Sequence, residues 1–248
     1  MKVITSLQNQ VVKDAVSLHQ KKYRDEFGLF LVEGREPCET AIAQGWEHVY
    51  LFVQSGSDVT VADDDRLLEV SGDILAKISK KDNPQPVIGI FRQRLATTPA
   101  KADTYLALEE IRDPGNLGTI MRTAHAVGMS QIILVGNCCD PFTPEVIRAS
   151  MGSFSTVQLV TMSPDELLAW QSAQGYALLG TDVVDAKDYR ETTYRNAILV
   201  MGNEQKGLSP ALKECCTGRV HIPMPGGTES LNLSVATALL LYEQFRLN

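Results

Sequence analysis

Apolar residues at Val11, Val12, Ala15, Val16 and Leu18 recur at helical spacing and predict a helix over 9–20. The run at 27–32, Phe-Gly-Leu-Phe-Leu-Val, reads as a strand that stops at Glu33-Gly34. A helical pattern over 35–43 is followed by a strand over 46–53, a short strand over 67–70, a helix over 72–78 and an apolar strand over 87–91. Strands alternating with helices in this way describe a small α/β domain.

Residues 94–103, with Thr97-Thr98-Pro99-Ala100 inside them, have the composition of a linker. Beyond them the alternation restarts. Strands are predicted at 105–108, 131–135, 157–160, 176–180 and 197–201, and helices at 119–127, 143–149, 163–172 and 232–245. The strands Tyr176-Ala-Leu-Leu-Gly180 and Ala197-Ile-Leu-Val-Met201 are nearly continuous apolar runs, the pattern of parallel strands covered on both faces. The expected organisation is two α/β domains, 1–97 and 103–248, the second built on a parallel sheet.

Composition adds little to this and removes several function classes. With 44% hydrophobic and 21% charged residues, the chain has the profile of a soluble globular protein. Residues 1–6 lack the apolar run of a signal peptide, and no stretch approaches a membrane span, so a cytoplasmic protein without membrane contact is expected. The five cysteines (Cys38, Cys138, Cys139, Cys215 and Cys216) include two adjacent pairs, which do not have zinc-ligand spacing. They read as reduced thiols, and no metal site is expected.

The net charge of −7 argues against nonspecific coating of nucleic acid, but not against a local basic patch. Residues 1–100 hold 12 Lys+Arg against 14 Asp+Glu, and the remainder 11 against 16, so the first part is nearer neutral. It contains the one basic cluster, Lys21-Lys22-Tyr23-Arg24, with Lys13 upstream. Such a cluster is either a solvated helix end or a phosphate contact.

Two distant polar stretches carry the candidate chemistry. One is Asp113-Pro114-Gly115-Asn116-Leu117-Gly118-Thr119-Ile120-Met121-Arg122, a loop running into a predicted helix. The other extends from Met201-Gly202-Asn203-Glu204 through His221-Ile222-Pro223-Met224 to Ser230-Leu231-Asn232. Loops at strand ends before helices form the ligand crevice of an open α/β sheet. Dinucleotide and phosphate-loop fingerprints are missing, as is a nucleophile elbow, and none of the four histidines sits in a metal motif. The segment 222–227 combines apolar residues with two prolines and two glycines, a composition suited to holding an adenine by main-chain bonds in an apolar slot. Ser230 or Asn232 is placed to cap the last helix.

These stretches, in this order, resemble the three signatures of the SpoU (TrmH) family of RNA ribose methyltransferases. Asp113 to Ala124 is similar to the first, Met201-Gly-Asn-Glu204-Gln-Lys-Gly207-Leu to the second, and Ile222-Pro-Met-Pro through Ser230-Leu-Asn232-Leu-Ser-Val-Ala to the third. The front half, with Phe30-Leu-Val-Glu-Gly34 preceded by Lys22-Tyr-Arg24, more weakly resembles the substrate-binding domain that many members carry, related to kink-turn-binding ribosomal proteins.

The resemblance implies transfer of a methyl group from S-adenosylmethionine to a ribose 2′-hydroxyl of structured RNA, ribosomal RNA rather than transfer RNA. It implies a parallel α/β SPOUT domain whose C-terminal segment threads a deep trefoil knot, and a homodimer through that domain. The matching catalytic positions are Arg122, Asn116, Glu204, Ser230 and Asn232. The matching cofactor-binding positions are Val200, Met201, Gly202, Ile222, Met224 and Leu231. Lys13, Lys22, Arg24 and Arg35 are the RNA-binding candidates. On the family pattern Arg122 contacts the reacting ribose. Because a guanidinium normally stays protonated, the roles of phosphate clamp and of transiently neutral base are both open to it. A transfer RNA methyltransferase and a non-catalytic RNA-binding protein of the same fold are the competing readings.

Overall fold

The computed structural model describes residues 2–57, 66–182 and 185–247. The chain forms two compact units: Met1–Arg94 with Asp140–Thr156, and Leu95–Cys139 with Val157–Asn248. Among the described residues no helix is long and apolar enough to cross a membrane.

In the first unit, β1 (Lys2–Ile4), β2 (Leu29–Glu33), β3 (His48–Gln54), β4 (Leu67–Val70) and β5 (Val87–Arg92) form a sheet in the order β1-β4-β3-β5-β2. β1, β4 and β3 are parallel, whereas β5 is antiparallel to both neighbours. Helices α1 (Gln10–Ser17), α2 (Lys21–Phe27), α3 (Arg35–Ala43) and α4 (Gly72–Ser79) accompany the sheet. Val12, Ala15 and Leu18 pack with Ile74, Leu75 and Ile78 of α4 and with Phe52, Ile88 and Ile90 of the sheet. The apolar spacing seen in the sequence is this contact face.

The basic cluster is a helix of its own. α1 ends at Ser17, Gln20 is the N-cap of α2, and Gly28 closes α2 in the left-handed conformation at φ 63°. Phe27 therefore ends a helix rather than starting a strand, because only a residue without a Cβ takes that cap conformation cheaply.

The second unit begins with β6 (Thr104–Glu109), α5 (Pro114–Ala126) and β7 (Gln131–Val135). The chain then supplies α6 (Pro144–Ala149) to the first unit and returns as β8 (Gln158–Met162), α7 (Pro164–Gln174), β9 (Ala177–Thr181), β10 (Lys187–Asp188) and β11 (Ala197–Met201). α8 (Pro210–Cys215), β12 (Gly218–His221) and α9 (Leu233–Leu247) complete it. The sheet runs β10-β12-β9-β11-β6-β7-β8 and every pairing is parallel. α8 and β12 escape the sequence reading because each is short and buries one residue, Leu212 and Val220, too few to show a period.

The units depart from the contiguous division at 97 and 103 in two ways. Residues 95–102 are stitched into the second unit rather than free: Ala96 bridges Val160, and the Gln131 amide bonds Ala100 at both its main-chain groups. Segment 140–156 belongs to the first unit because its aromatic residues are buried there. Phe142 and Phe154 pack on Phe30, and the Trp46 indole donates to the Ser155 carbonyl at 2.9 Å.

The same segment overturns one RNA-binding expectation. Arg24 is only 2% exposed. Its Nε and Nη2 donate to Asp140 Oδ2 at 2.9 and 2.7 Å, and its Nη1 donates to the Leu18 carbonyl. The guanidinium is consumed inside the unit and does not reach a phosphate. Lys13, Lys22 and Arg35 are exposed, Arg35 in a surface pair with Glu39.

Candidate active site

The two polar stretches meet because β6 and β11 are hydrogen-bonded parallel neighbours, with Leu108 opposite Met201. Chains leaving the same end of adjacent strands emerge side by side. The strand order also reverses here, since β7 and β8 continue outward from β6 while β9 and β12 lie beyond β11. A switch point of this kind opens a crevice at the carboxyl ends of the strands.

Glu204 is the hub. Its carboxylate accepts from the main-chain N–H of Arg112 at 3.2 Å and Asp113 at 3.1 Å, and from Asn116 Nδ2 at 3.4 Å. Asn232 Nδ2 in turn donates to Asn116 Oδ1 at 3.0 Å. Residues 116, 204 and 232 thus form one continuous chain of hydrogen bonds. Asp113 fixes the start of α5 by accepting from the Asn116 N–H at 2.7 Å, with Pro114 in the first turn.

The cap of α9 is Asn232, not Ser230. Asn232 Oδ1 accepts from the Ser234 N–H at 2.9 Å and from Val235 N–H at 3.3 Å. One side chain therefore both caps the helix and ties it to Asn116. Ser230 is exposed and lines the neighbouring cavity.

Burial raises the Glu204 carboxyl, but the N–H donors converging on it outweigh that and hold it below the usual glutamate range. A carboxyl depressed in the fold contributes stability above its unfolded pKa and loses it as the pH falls through the folded value. The cluster is therefore expected to stay assembled near neutrality and to loosen only in acid. The amide shifts of Arg112 and Asp113, followed by NMR, should titrate with a midpoint below about 4.3, the ordinary glutamate value. A midpoint above it would contradict the arrangement.

A cavity of about 460 Å³ opens beside the hub, lined by all three loops of the second stretch. Met201, Gly202, Ile222, Met224 and Leu231 line it, as do Glu204 and Ser230; Val200 does not and is fully buried. Leu208, Leu233, Ala236 and Leu240 extend its apolar wall, and Thr181, Asp182, Lys213 and His221 form a polar one. Gly202 is required by a close approach: a Cβ there would lie 2.2 Å from the Gly207 carbonyl carbon. Asn203 and Gly207 exchange both main-chain hydrogen bonds, which closes the loop. Gly202→Ala is expected to force this loop open and weaken ligand binding in the cavity at least about tenfold by calorimetry. Wild-type affinity would show that the loop can move at little cost.

Arg122 stands apart. It is exposed on α5 two turns beyond Asn116, does not line the cavity, and makes no hydrogen bond or ion pair among the described residues. Sequence reasoning missed three supports. Glu109, 3% exposed, accepts from the Ser209 N–H; Asn203 Nδ2 donates to the Glu110 carbonyl at 2.8 Å; and Lys213 pairs with Asp182 at 2.5 Å. The two glutamates ending an apolar strand were the available signal for the first pair.

The sequence profile of the SpoU rRNA methylase family matches residues 103–242, and that of an MRM3-like substrate-binding domain matches residues 9–89. The chain belongs to the SpoU rRNA methylase family. Relatives of this SpoU methylase match it along nearly its whole length. The AdoMet-bound rRNA methyltransferase of Sinorhizobium meliloti is 40% identical, with a TM-score of 0.92 over 99% of this chain and 98% of that one. The SpoU methyltransferase AviRb of Streptomyces viridochromogenes, in complex with AdoMet, is 27% identical with a TM-score of 0.88, covering 97% of this chain and 98% of that one. The 23S rRNA guanosine 2′-O-methyltransferase RlmP of Bacillus subtilis is 30% identical over 98% of both chains.

Proposed function

We propose that this SpoU methylase transfers a methyl group from S-adenosylmethionine to a ribose 2′-hydroxyl of ribosomal RNA. The observation that carries this is the hydrogen-bonded chain Glu204–Asn116–Asn232 set against a 460 Å³ cavity. The cavity has the volume of a small-molecule site, and its lining divides between an apolar wall (Leu208, Ile222, Met224, Leu231, Leu233 and Leu240) and polar groups, which suits a ligand with an apolar-faced base and polar substituents. Relatives of similar length crystallised with AdoMet support the same ligand. Ribosomal rather than transfer RNA is favoured by the relatives named for 23S rRNA and by the SpoU rRNA methylase profile.

When bound, the cofactor supplies an electrophilic methyl on a sulfonium. The protein's part is placement, since aligning two reactants at near-attack distance provides much of the acceleration. Glu204 draws residues 112–113 and the first turn of α5 onto the 203–207 loop, and Asn116 and Asn232, hydrogen-bonded in series to this cavity-lining carboxylate, are the polar groups offered to the incoming ribose. Arg122, with five donors in a planar fork, serves as the clamp that orients the RNA backbone beside them.

The clamp works in a cleft completed by a second copy. Val235, Leu239, Tyr242 and Phe245 are exposed along one side of α9 and fit an isologous homodimer interface, beside α5, which packs on α9. The segment after β11 is read as the thread of a deep trefoil knot: β11 inserts between β9 and β6, and the chain returns outside β9 as β12 before α9. The enzyme is read as cytoplasmic.

Two measurements test this. Labelled methyl from S-adenosylmethionine should appear at one 2′-O position of ribosomal RNA from a deletion strain, and none there would refute the reading. In the first unit, neutralising Lys13 and Lys22 together should lower RNA affinity several-fold at low salt and reduce its salt dependence by about two phosphate contacts. Unchanged affinity would discard this patch.

A further inference from the structure

The first unit has a groove of its own, of about 260 Å³, between α1, the end of α2 and one face of the sheet. Val11, Asp14, Phe27, Leu29, Tyr50 and Ile90 line it. Phe27 is exposed, and Val11, Asp14, Leu29 and Tyr50 are half-buried, so a ligand in the groove touches them directly. Apolar side chains gathered in an open groove, rather than scattered singly, mark an interaction site.

The sheet register sets two arginines at its edge. Arg92 is the cross-strand partner of Leu29 and lies two residues beyond Ile90, so it shares their face. Leu51 pairs with Leu67 in the parallel register, which sets Arg66, one residue earlier, beside Tyr50. Arg66 is steadied there by donating from Nη1 to the His48 carbonyl at 2.7 Å. Arg92 pairs with Glu47 at 2.9 Å, but both are more than half exposed, and such a surface pair yields to another anion at little cost. Among the described residues that line the groove, Asp14 alone is charged. Its Oδ1 accepts from the Gln10 amide at 2.6 Å, which leaves Oδ2 for a donor on a ligand.

This arrangement sorts the occupants. A lipid chain or an apolar helix would strip water from the Asp14 carboxylate and return no donor. A free phosphate suits the arginines but is repelled by Asp14. An RNA strand with one base turned out of its stack meets all three requirements. Its π-face lies on aromatic rings, its N–H edge meets the carboxylate, and its flanking phosphates meet the arginines. Guanine offers two adjacent N–H donors, at N1 and N2, whereas the one imino N–H of uracil lies between two carbonyl oxygens that a carboxylate repels.

We propose that this groove holds a single unstacked base of the RNA substrate, guanine before uracil, against Tyr50 and Phe27. Asp14 accepts from the base edge, and Arg66 and Arg92 take the flanking phosphates. Taken with the RNA reading, on which it rests, the groove adds a base contact to a unit whose Lys13 and Lys22 hold only phosphates.

Fluorescence anisotropy of the full chain with three labelled five-residue RNA strands tests it: UUGUU, UUUUU and a wholly abasic strand with the same phosphates. The unaltered protein is expected to bind UUGUU about tenfold more tightly than the abasic strand, with UUUUU between them. Phe27→Ala, at an exposed position, should erase most of this difference and leave the abasic strand bound as before, and Tyr50→Ala should do the same. Asp14→Asn should remove the preference for guanine over uracil. Arg92→Gln should weaken all three strands alike, by about two- to threefold, as a lost phosphate contact does. Equal affinity of the unaltered protein for UUGUU and the abasic strand overturns the proposal, as does a guanine preference that survives both aromatic substitutions. A change of oligomeric state in Phe27→Ala, seen by sedimentation, overturns it by giving the groove to a second copy. Binding of unmodified ribosomal RNA but of no strand also overturns it. Binding of neither removes the RNA reading itself, and the groove assignment with it.

Discussion

Arg122→Ala is expected to abolish methyl transfer, by at least about a thousandfold, while S-adenosylmethionine binds as tightly as before. The two effects separate because of where Arg122 stands. It does not line the cavity, and it makes no hydrogen bond or ion pair among the described residues, so its removal leaves both the ligand wall and the fold intact. Six residues beyond Asn116 on α5, it lies about 9 Å along the helix axis from the hydrogen-bonded cluster, within reach of the same RNA strand. Arg122→Lys should recover little, since an ammonium lacks the planar fork that grips a phosphate at two points. Methyl incorporation assayed beside calorimetry decides it. Turnover retained in the alanine variant removes Arg122 from the mechanism, and a parallel loss of cofactor binding would make it part of the cavity instead.

The second large effect falls on stability. Arg24→Ala should destabilise the first unit by about 3–5 kcal/mol, because it leaves Asp140, 8% exposed at its side chain, as an unpaired buried charge. Removing both partners, in Arg24→Ala with Asp140→Ala, should cost less than either single change, since no charge is then stranded. Urea unfolding followed through Trp46, which hydrogen-bonds the same inserted segment, is the direct measurement. If Arg24→Ala instead leaves stability unchanged and lowers RNA affinity, the guanidinium serves phosphate after all. The pair also ties residue 24 to residue 140, so its loss is expected to loosen Asp140–Thr156 first.

The contrast between Arg122 and Arg24 shows how far local pattern reaches. Periodicity recovered the α/β alternation in both halves, because burial of one helix face or of a whole strand leaves a repeat at short range, as in Val12, Ala15 and Leu18 or in Ala197–Met201. The three polar signatures were legible for a related reason: Gly, Pro, Asn and Ser at strand ends mark loops that a packed core cannot use. The burial of the two arginines was not legible at short range. Arg122 follows Ile120-Met121 and Arg24 lies among Lys21-Lys22 and Asp25-Glu26, yet the first is exposed and the second is sealed against a residue 116 positions away.

The residue types at the site and the order of its loops were written in the chain, along with the two-part α/β plan. Three things waited for the fold: the departure of Asp140–Thr156 to the first unit, the choice of Asn232 over Ser230 as the cap of α9, and the placing of Arg92 beside Leu29 and of Arg66 beside Tyr50. Each depends on which strands become neighbours. Parallel pairing of β6 with β11 joins residues some 90 positions apart, and the free energy that selects such a pairing comes from burial summed over the whole sheet. No window of sequence contains that sum.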